Sequence, residues 1–322
     1  MPQRLYFLAA GALLLAGCAA APPPQPTPQV DTDAIDLLFS NVPLTDSNIA
    51  PRHYSPAAGG ALEARPGYLV DRSLGARGQN QRVRFIVLHY TGGDERAALR
   101  TLTESNVSAH YLVTDNPGRY RDRPVVLQLV DEDRRAWHAG VSQWADRSNL
   151  NDTSVGIEIV NPGYHDSPEG QVWTPYSRAQ IELVIELTRD LVERYDIEPQ
   201  NVLGHSDIAP GRKVDPGPFF PWQRLYQAGV GAWPERETVA RWQRQLSQAP
   251  LSVAQFQRAL AAWGYPLAVS GVMDEETRRV VRAFQLHFRP TDTNARMDIE
   301  SQAILMALLE RYQGEAAVRA LR

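Results

Sequence analysis

Apolar residues fall into short solid runs in the middle of the chain and into a helical period further on. Val83-Arg-Phe-Ile-Val-Leu-His-Tyr90 holds four consecutive apolar residues, Phe85 to Leu88, as a strand buried on both faces would. Ala109 to Val113, Val125 to Val130 and Val155 to Val160 read as further strands. Glu95 to Ser105 has a helical composition, with Ala97, Ala98, Leu99 and Leu102 as its apolar side. In Arg178 to Tyr195, the residues Ile181, Val184, Ile185, Leu187, Leu191 and Val192 keep a helical period, and Pro199 closes the region. Pro221-Trp-Gln-Arg-Leu-Tyr226 reads as a short helix opened by proline. Strands interleaved with helices predict an α/β fold: a mixed β-sheet flanked by helices.

The ends read differently. Leu5 to Gly17 is an apolar run behind Arg4, too short for a comfortable membrane span. It ends in Leu15-Ala-Gly-Cys18, which resembles a bacterial lipobox. Residues 1–17 are then a lipoprotein signal peptide and Cys18 is the lipidated first residue of the mature chain. Ala19 follows, so nothing resembles the aspartate that keeps lipoproteins at the inner membrane. The expected location is the outer membrane, facing the periplasm. Residues 18–64, opening with Ala21-Pro-Pro-Pro-Gln-Pro-Thr-Pro28, have the composition of an extended tether. His53 within it has no evident role.

Residues 231–251 include Trp233-Pro234 and a polar stretch, and are expected to be a linker. From Ser252 the pattern becomes helical again. Val253 to Leu260, Gly264-Tyr-Pro266, Gly271-Val-Met-Asp274 and Thr277 to Gln285 follow in an order that resembles a small three-helix peptidoglycan-binding domain, over residues 252–312. His287 is expected on its surface.

A chain of 322 residues suggests two domains. A net charge of −4 without a basic stripe gives no reason to expect nucleic acid as a partner. Cys18 is the single cysteine, so the mature fold has no internal disulfide, and any metal must be held by His or carboxylate.

Chemistry concentrates in Gly204-His-Ser-Asp-Ile-Ala-Pro-Gly-Arg-Lys-Val-Asp-Pro-Gly217. This segment is too rich in Pro and Gly for a long helix or a central strand. It can present His205, Lys213 and Asp215 (or Asp207) to one point. His89 ends the first apolar strand, and Glu158 sits between apolar neighbours in Val155-Gly-Ile-Glu-Ile159, where a charge is costly unless paired or near a metal.

Five ordered blocks carry a resemblance: His89-Tyr-Thr91, Ser108-Ala-His-Tyr-Leu-Val113, Ala136-Trp-His-Ala-Gly140, Asn151 to Ile159, and Gly204 through Lys213 and Asp215. Together they resemble the zinc-dependent N-acetylmuramoyl-L-alanine amidases of the type 2 family, in particular their outer-membrane lipoprotein branch. The resemblance covers residues 65–230. It implies that the chain hydrolyses the amide between N-acetylmuramic acid and L-alanine in peptidoglycan. It also implies a zinc ion held by His89, His205 and Asp215, with Asp215 preferred over Asp207 because it occupies the family's ligand position. Bound zinc makes water nucleophilic near neutral pH. Glu158 is then the expected general base, with a pKa raised by its apolar neighbours, and Lys213 the expected stabiliser of the oxyanion. His110, Trp137 and His138 are groove candidates, and either histidine is also open as a metal ligand. A recognition module without catalysis, and a zinc peptidase cutting within the stem peptide, are the competing readings.

Overall fold

The computed structural model describes residues 62–71 and 82–321. Cys18, the lipobox, most of the tether and His53 lie outside the described residues. Leu62–Arg65 and Tyr68–Asp71 pair as an antiparallel hairpin, in a unit separate from the compact one that begins at Arg77.

That second unit is built on a five-stranded mixed sheet. Its strands are β1 (Phe85–Tyr90), β2 (Tyr111–Val113), β3 (Leu127–Gln128), β4 (Ser154–Ile159) and β5 (Val202–Gly204), in the order β5-β1-β4-β2-β3. All neighbours are parallel except β2 and β3. The expected strand over 125–130 shrinks to Leu127–Gln128, at the sheet's edge.

Side-chain alternation sorts the two faces. Ile86 and Leu88 of β1, with Val155, Ile157 and Ile159 of β4, pack under α2 (Arg178–Tyr195) through its Ile181, Val184 and Leu191. Helix α2 starts at Ser177, whose hydroxyl accepts from the Gln180 N–H. The opposite face carries Phe85, Val87 and His89 on β1, and Ser154, Gly156 and Glu158 on β4. The two triplets lie in register, with Glu158 directly beside His89. One face packs under α2, and the other carries the polar residues His89, Ser154 and Glu158.

Phe85 and Val87 do not end in solvent. They join Leu203, Ile208 and Trp144 in one apolar cluster with the C-terminal helices α5 (Arg236–Gln248), α6 (Val253–Trp263), α7 (Glu275–Phe288) and α8 (Ile299–Leu321), the last broken at Gly314. The expected linker is therefore corrected. Residues 236–248 are a helix that buries Trp242 and Leu246, and the Trp242 indole donates to Glu310 at 2.8 Å. Its apolar positions are few but fall at helical spacing, so packing rather than composition decides its state. Burial of each large side chain in this cluster stabilises by about 1.5–3 kcal/mol. A shared core of this extent makes the helical layer part of the same fold.

His287 is also corrected. It is 2% exposed, between Trp222 of the short helix Trp222–Gln227 and Phe288, and its Nδ1 lies 2.7 Å from Asp207 Oδ2. Asp207 in turn accepts from the Tyr265 hydroxyl at 2.6 Å and the Gly204 N–H at 2.8 Å. All of its strong bonds point into the helical layer or its own turn, which removes it as a competing metal ligand.

Candidate metal centre and active site

His89 reaches the site from the end of β1. His205 opens a single helical turn, His205–Ile208, directly after β5, and Asp215 comes from the loop beyond it. The Ser206 N–H donates to the Asp215 carbonyl at 2.9 Å, which folds the loop back onto that turn. Three buried atoms converge. His89 Nδ1 and His205 Nδ1 are 2.9 Å apart, and each is 3.0 Å from Asp215 Oδ2.

Hydrogen bonds alone cannot account for that triangle, because the outer ring nitrogens already hold the protons. Ser154 donates its hydroxyl to the Leu150 carbonyl at 2.6 Å, so its oxygen accepts from His138 Nε2 at 3.1 Å. His138 Nδ1 must then accept from His89 Nε2, at 3.0 Å. His205 Nε2 donates to the Ala139 carbonyl at 3.1 Å. Both inner nitrogens are left with lone pairs facing a carboxylate, the donor set of a cation site. Among the described residues, His89, His205 and Asp215 form a group that could hold a metal ion. Burial, then His205, push the His89 pKa down to about 4, which keeps its ring neutral.

Glu158 lies on the same face, one strand over. Its Oε2 is shielded and has no hydrogen-bond partner. Burial, then the charge of Asp215, raise its pKa to about 8, partly offset by Lys213. Glu158 and Lys213 line one pocket of about 420 Å³ with the three metal-site residues. Trp137 is 56% exposed at this pocket, with the Arg135 guanidinium 4.4 Å from its ring centre.

His138 touches the pocket wall, but both its ring nitrogens are committed to holding His89. The space for its ring comes from Gly156, where a Cβ would lie 2.4 Å from His138 Cγ. His110 stands apart from the pocket. Its Nδ1 accepts from the Gly156 N–H at 3.0 Å and its Nε2 donates to the Arg134 carbonyl at 3.2 Å. Neither histidine joins the metal triangle.

Sequence reasoning missed Ser154, Asn151 and Arg212. Asn151 Oδ1 accepts from the His138 and Ala139 N–H groups, and Arg212 donates to the Ala139 carbonyl at 2.9 Å. Strand alternation carried a signal for Ser154, two and four residues before Gly156 and Glu158 on one face.

Comparison with known proteins decides the family. Residues 79–218 match the family model described as N-acetylmuramoyl-L-alanine amidase, and residues 251–300 match a putative peptidoglycan-binding domain. The chain is 40% identical over 311 residues to the N-acetylmuramoyl-L-alanine amidase AmiD of Escherichia coli K12, covering 96% of this chain and 99% of that protein. The chain belongs to the type 2 N-acetylmuramoyl-L-alanine amidases. Its fold is that of AmiD in complex with the substrate anhydro-N-acetylmuramic acid-L-Ala-D-γ-Glu-L-Lys, with a TM-score of 0.74 at 44% identity over 79% of this chain and 98% of that one. It is also similar to AmpDh3 of Pseudomonas aeruginosa in complex with an anhydromuramic pentapeptide, with a TM-score of 0.69 at 42% identity over 75% and 96% of the two chains. The amidase thus cleaves the bond between N-acetylmuramic acid and L-alanine in peptidoglycan or its fragments. Both competing readings fall with this assignment.

Proposed function

We propose that the cation is zinc, that Glu158 is the general base and acid, and that Lys213 stabilises the oxyanion. The observation that carries this is the triangle of lone-pair atoms beside an unpartnered carboxylate. Two imidazoles and one carboxylate suit zinc, and a catalytic zinc site keeps a further position open. The three donor atoms lie 2.9–3.0 Å from one another, close enough to be held by one ion. When bound, zinc supplies the Lewis acidity that makes water nucleophilic near neutral pH.

The residues of the chain do the rest. Glu158 takes a proton from the attacking water as the new carbon–oxygen bond forms, and returns it to the nitrogen as the carbon–nitrogen bond breaks. The Lys213 ammonium neutralises charge that develops on the carbonyl oxygen. Trp137 offers an aromatic face at the pocket for the sugar or peptide. Metal analysis of the purified protein, with mass analysis of digested sacculi before and after chelation, tests this reading. Full activity in a verified metal-free sample would sink it.

We also propose that the amidase is an outer-membrane lipoprotein facing the periplasm, anchored through Cys18. Its support is the Leu15-Ala-Gly-Cys18 sequence followed by Ala19. Several acyl chains hold a protein on a membrane stably, where one does not. Cys18→Ala should move the protein to the soluble fraction with its catalysis intact, and retention after washing would refute the anchor.

A further inference from the structure

A second groove, also of about 420 Å³, shares Lys213 and Val214 with the active-site pocket and runs along α7. Its formation depends on close contact. Gly211 sits at φ +77°, and a Cβ there would lie 2.4 Å from Arg279 Cδ, so the catalytic loop rests directly on the helix. On the groove α7 sets Arg278, Arg279 and Arg282, which join Lys213 of the loop. Of these four cations, only Arg279 has a carboxylate in ion-pair range among the described residues, Glu275 at 3.2 Å. Arg282 donates to Gln171 Oε1 at 3.3 Å, while its Nε is shielded from water and unpartnered.

Glu275 also lines the groove, so its four cations face one carboxylate, and a concave groove of net positive charge beside a catalytic pocket favours anionic parts of the same substrate. In a muropeptide the glycan hydroxyls are neutral, and the carboxylates belong to the stem peptide. Guanidinium groups pair with carboxylates through parallel N–H donors, which makes arginine the residue suited to this task. We propose that the groove between the catalytic loop and α7 is a subsite for stem-peptide carboxylates, with Arg278 and Arg282 as their recognition groups. The inference rests on amide cleavage at the His89, His205 and Asp215 centre. It gives the helical layer a part in selecting soluble fragments as well as in holding the wall.

The test compares two probes: N-acetylmuramoyl-L-Ala-D-γ-Glu-L-Lys with free carboxylates, and the same compound with its carboxylates amidated. Arg278 is exposed, so Arg278→Glu leaves the fold intact. It should raise KM for the free acid about tenfold and leave kcat, and KM for the amide, unchanged. Arg282→Gln should act in the same direction. Salt should narrow the wild-type preference for the free acid. Equal effects on both probes, or no effect of Arg278→Glu on either, would overturn the subsite. A metal-free enzyme that still cuts both probes would defeat the zinc reading alone. If the wild type cut neither, calorimetric binding of the same pair to wild type and Arg278→Glu would still decide the groove.

Discussion

Ser154→Ala removes a single hydroxyl two residues along the strand from Gly156, yet its effect should appear at the metal. The hydroxyl is the acceptor that fixes the His138 proton on Nε2. Without it, that buried N–H has no partner. If the proton moves to Nδ1 instead, it faces the His89 Nε2–H across a 3.0 Å contact. The conflict is relieved when His89 carries its proton on Nδ1, the atom that faces the cation. An unsatisfied buried donor costs about 1–3 kcal/mol, and about 1.4 kcal/mol is a factor of ten in affinity. Zinc affinity should therefore fall about 10- to 100-fold, in the range for losing a partner behind a ligand. The assay is competition with a chromophoric chelator, with kcat measured at saturating zinc. There kcat should return to within a few-fold of wild type, because no group on the substrate side has changed. Ser154→Thr keeps the hydroxyl and should keep the affinity. Unchanged zinc affinity in Ser154→Ala would show that proton order along Leu150, Ser154 and His138 does not hold His89.

Three further outcomes follow from the geometry. Glu158→Gln should retain its zinc while turnover falls about 10²–10⁴-fold, whereas His205→Ala should lose both, as elemental analysis beside hydrolysis will read. In metal-free protein the raised Glu158 pKa means that the folded state binds the extra proton between the usual carboxylate value and about 8. Wild type should lose thermal stability relative to Glu158→Gln as pH rises through that window, and a pH-independent difference in Tm would refute it. His287→Ala should cost about 1–3 kcal/mol by removing one of the three partners of the buried Asp207 carboxyl group, and a denaturation midpoint unchanged from wild type would show that the contact carries no weight.

Legibility in the sequence followed the range of the forces involved. Four consecutive apolar residues announced β1, and an unbroken helical period announced α2 with its ends at Arg178 and Tyr195. His89 and Glu158 stood out as polar groups in apolar strands, while their pairing with a loop more than 100 residues from His89 came through family resemblance. His287 was misjudged because its burial is created by Trp222, Phe288 and Asp207, the last 80 residues away in the chain. Helix α5 was misjudged because arginine and glutamine outnumber the few side chains that anchor it. His138 does line the pocket, but its hold on His89 stayed hidden because nothing local reveals the serine behind it.

Strand β4 has a consequence for how this gene can vary. Its odd-numbered members Val155, Ile157 and Ile159 fill the core, while Ser154, Gly156 and Glu158 serve the site. Because successive side chains point to opposite faces, loss or gain of one codon within this strand would exchange the two sets at once. Glu158 would be driven under α2 and an isoleucine would take its place beside His89. The strand should accept conservative exchanges at its core positions and tolerate no length change, so a library of single-codon deletions should be silent in the Leu62–Asp71 hairpin long before it yields an active clone here.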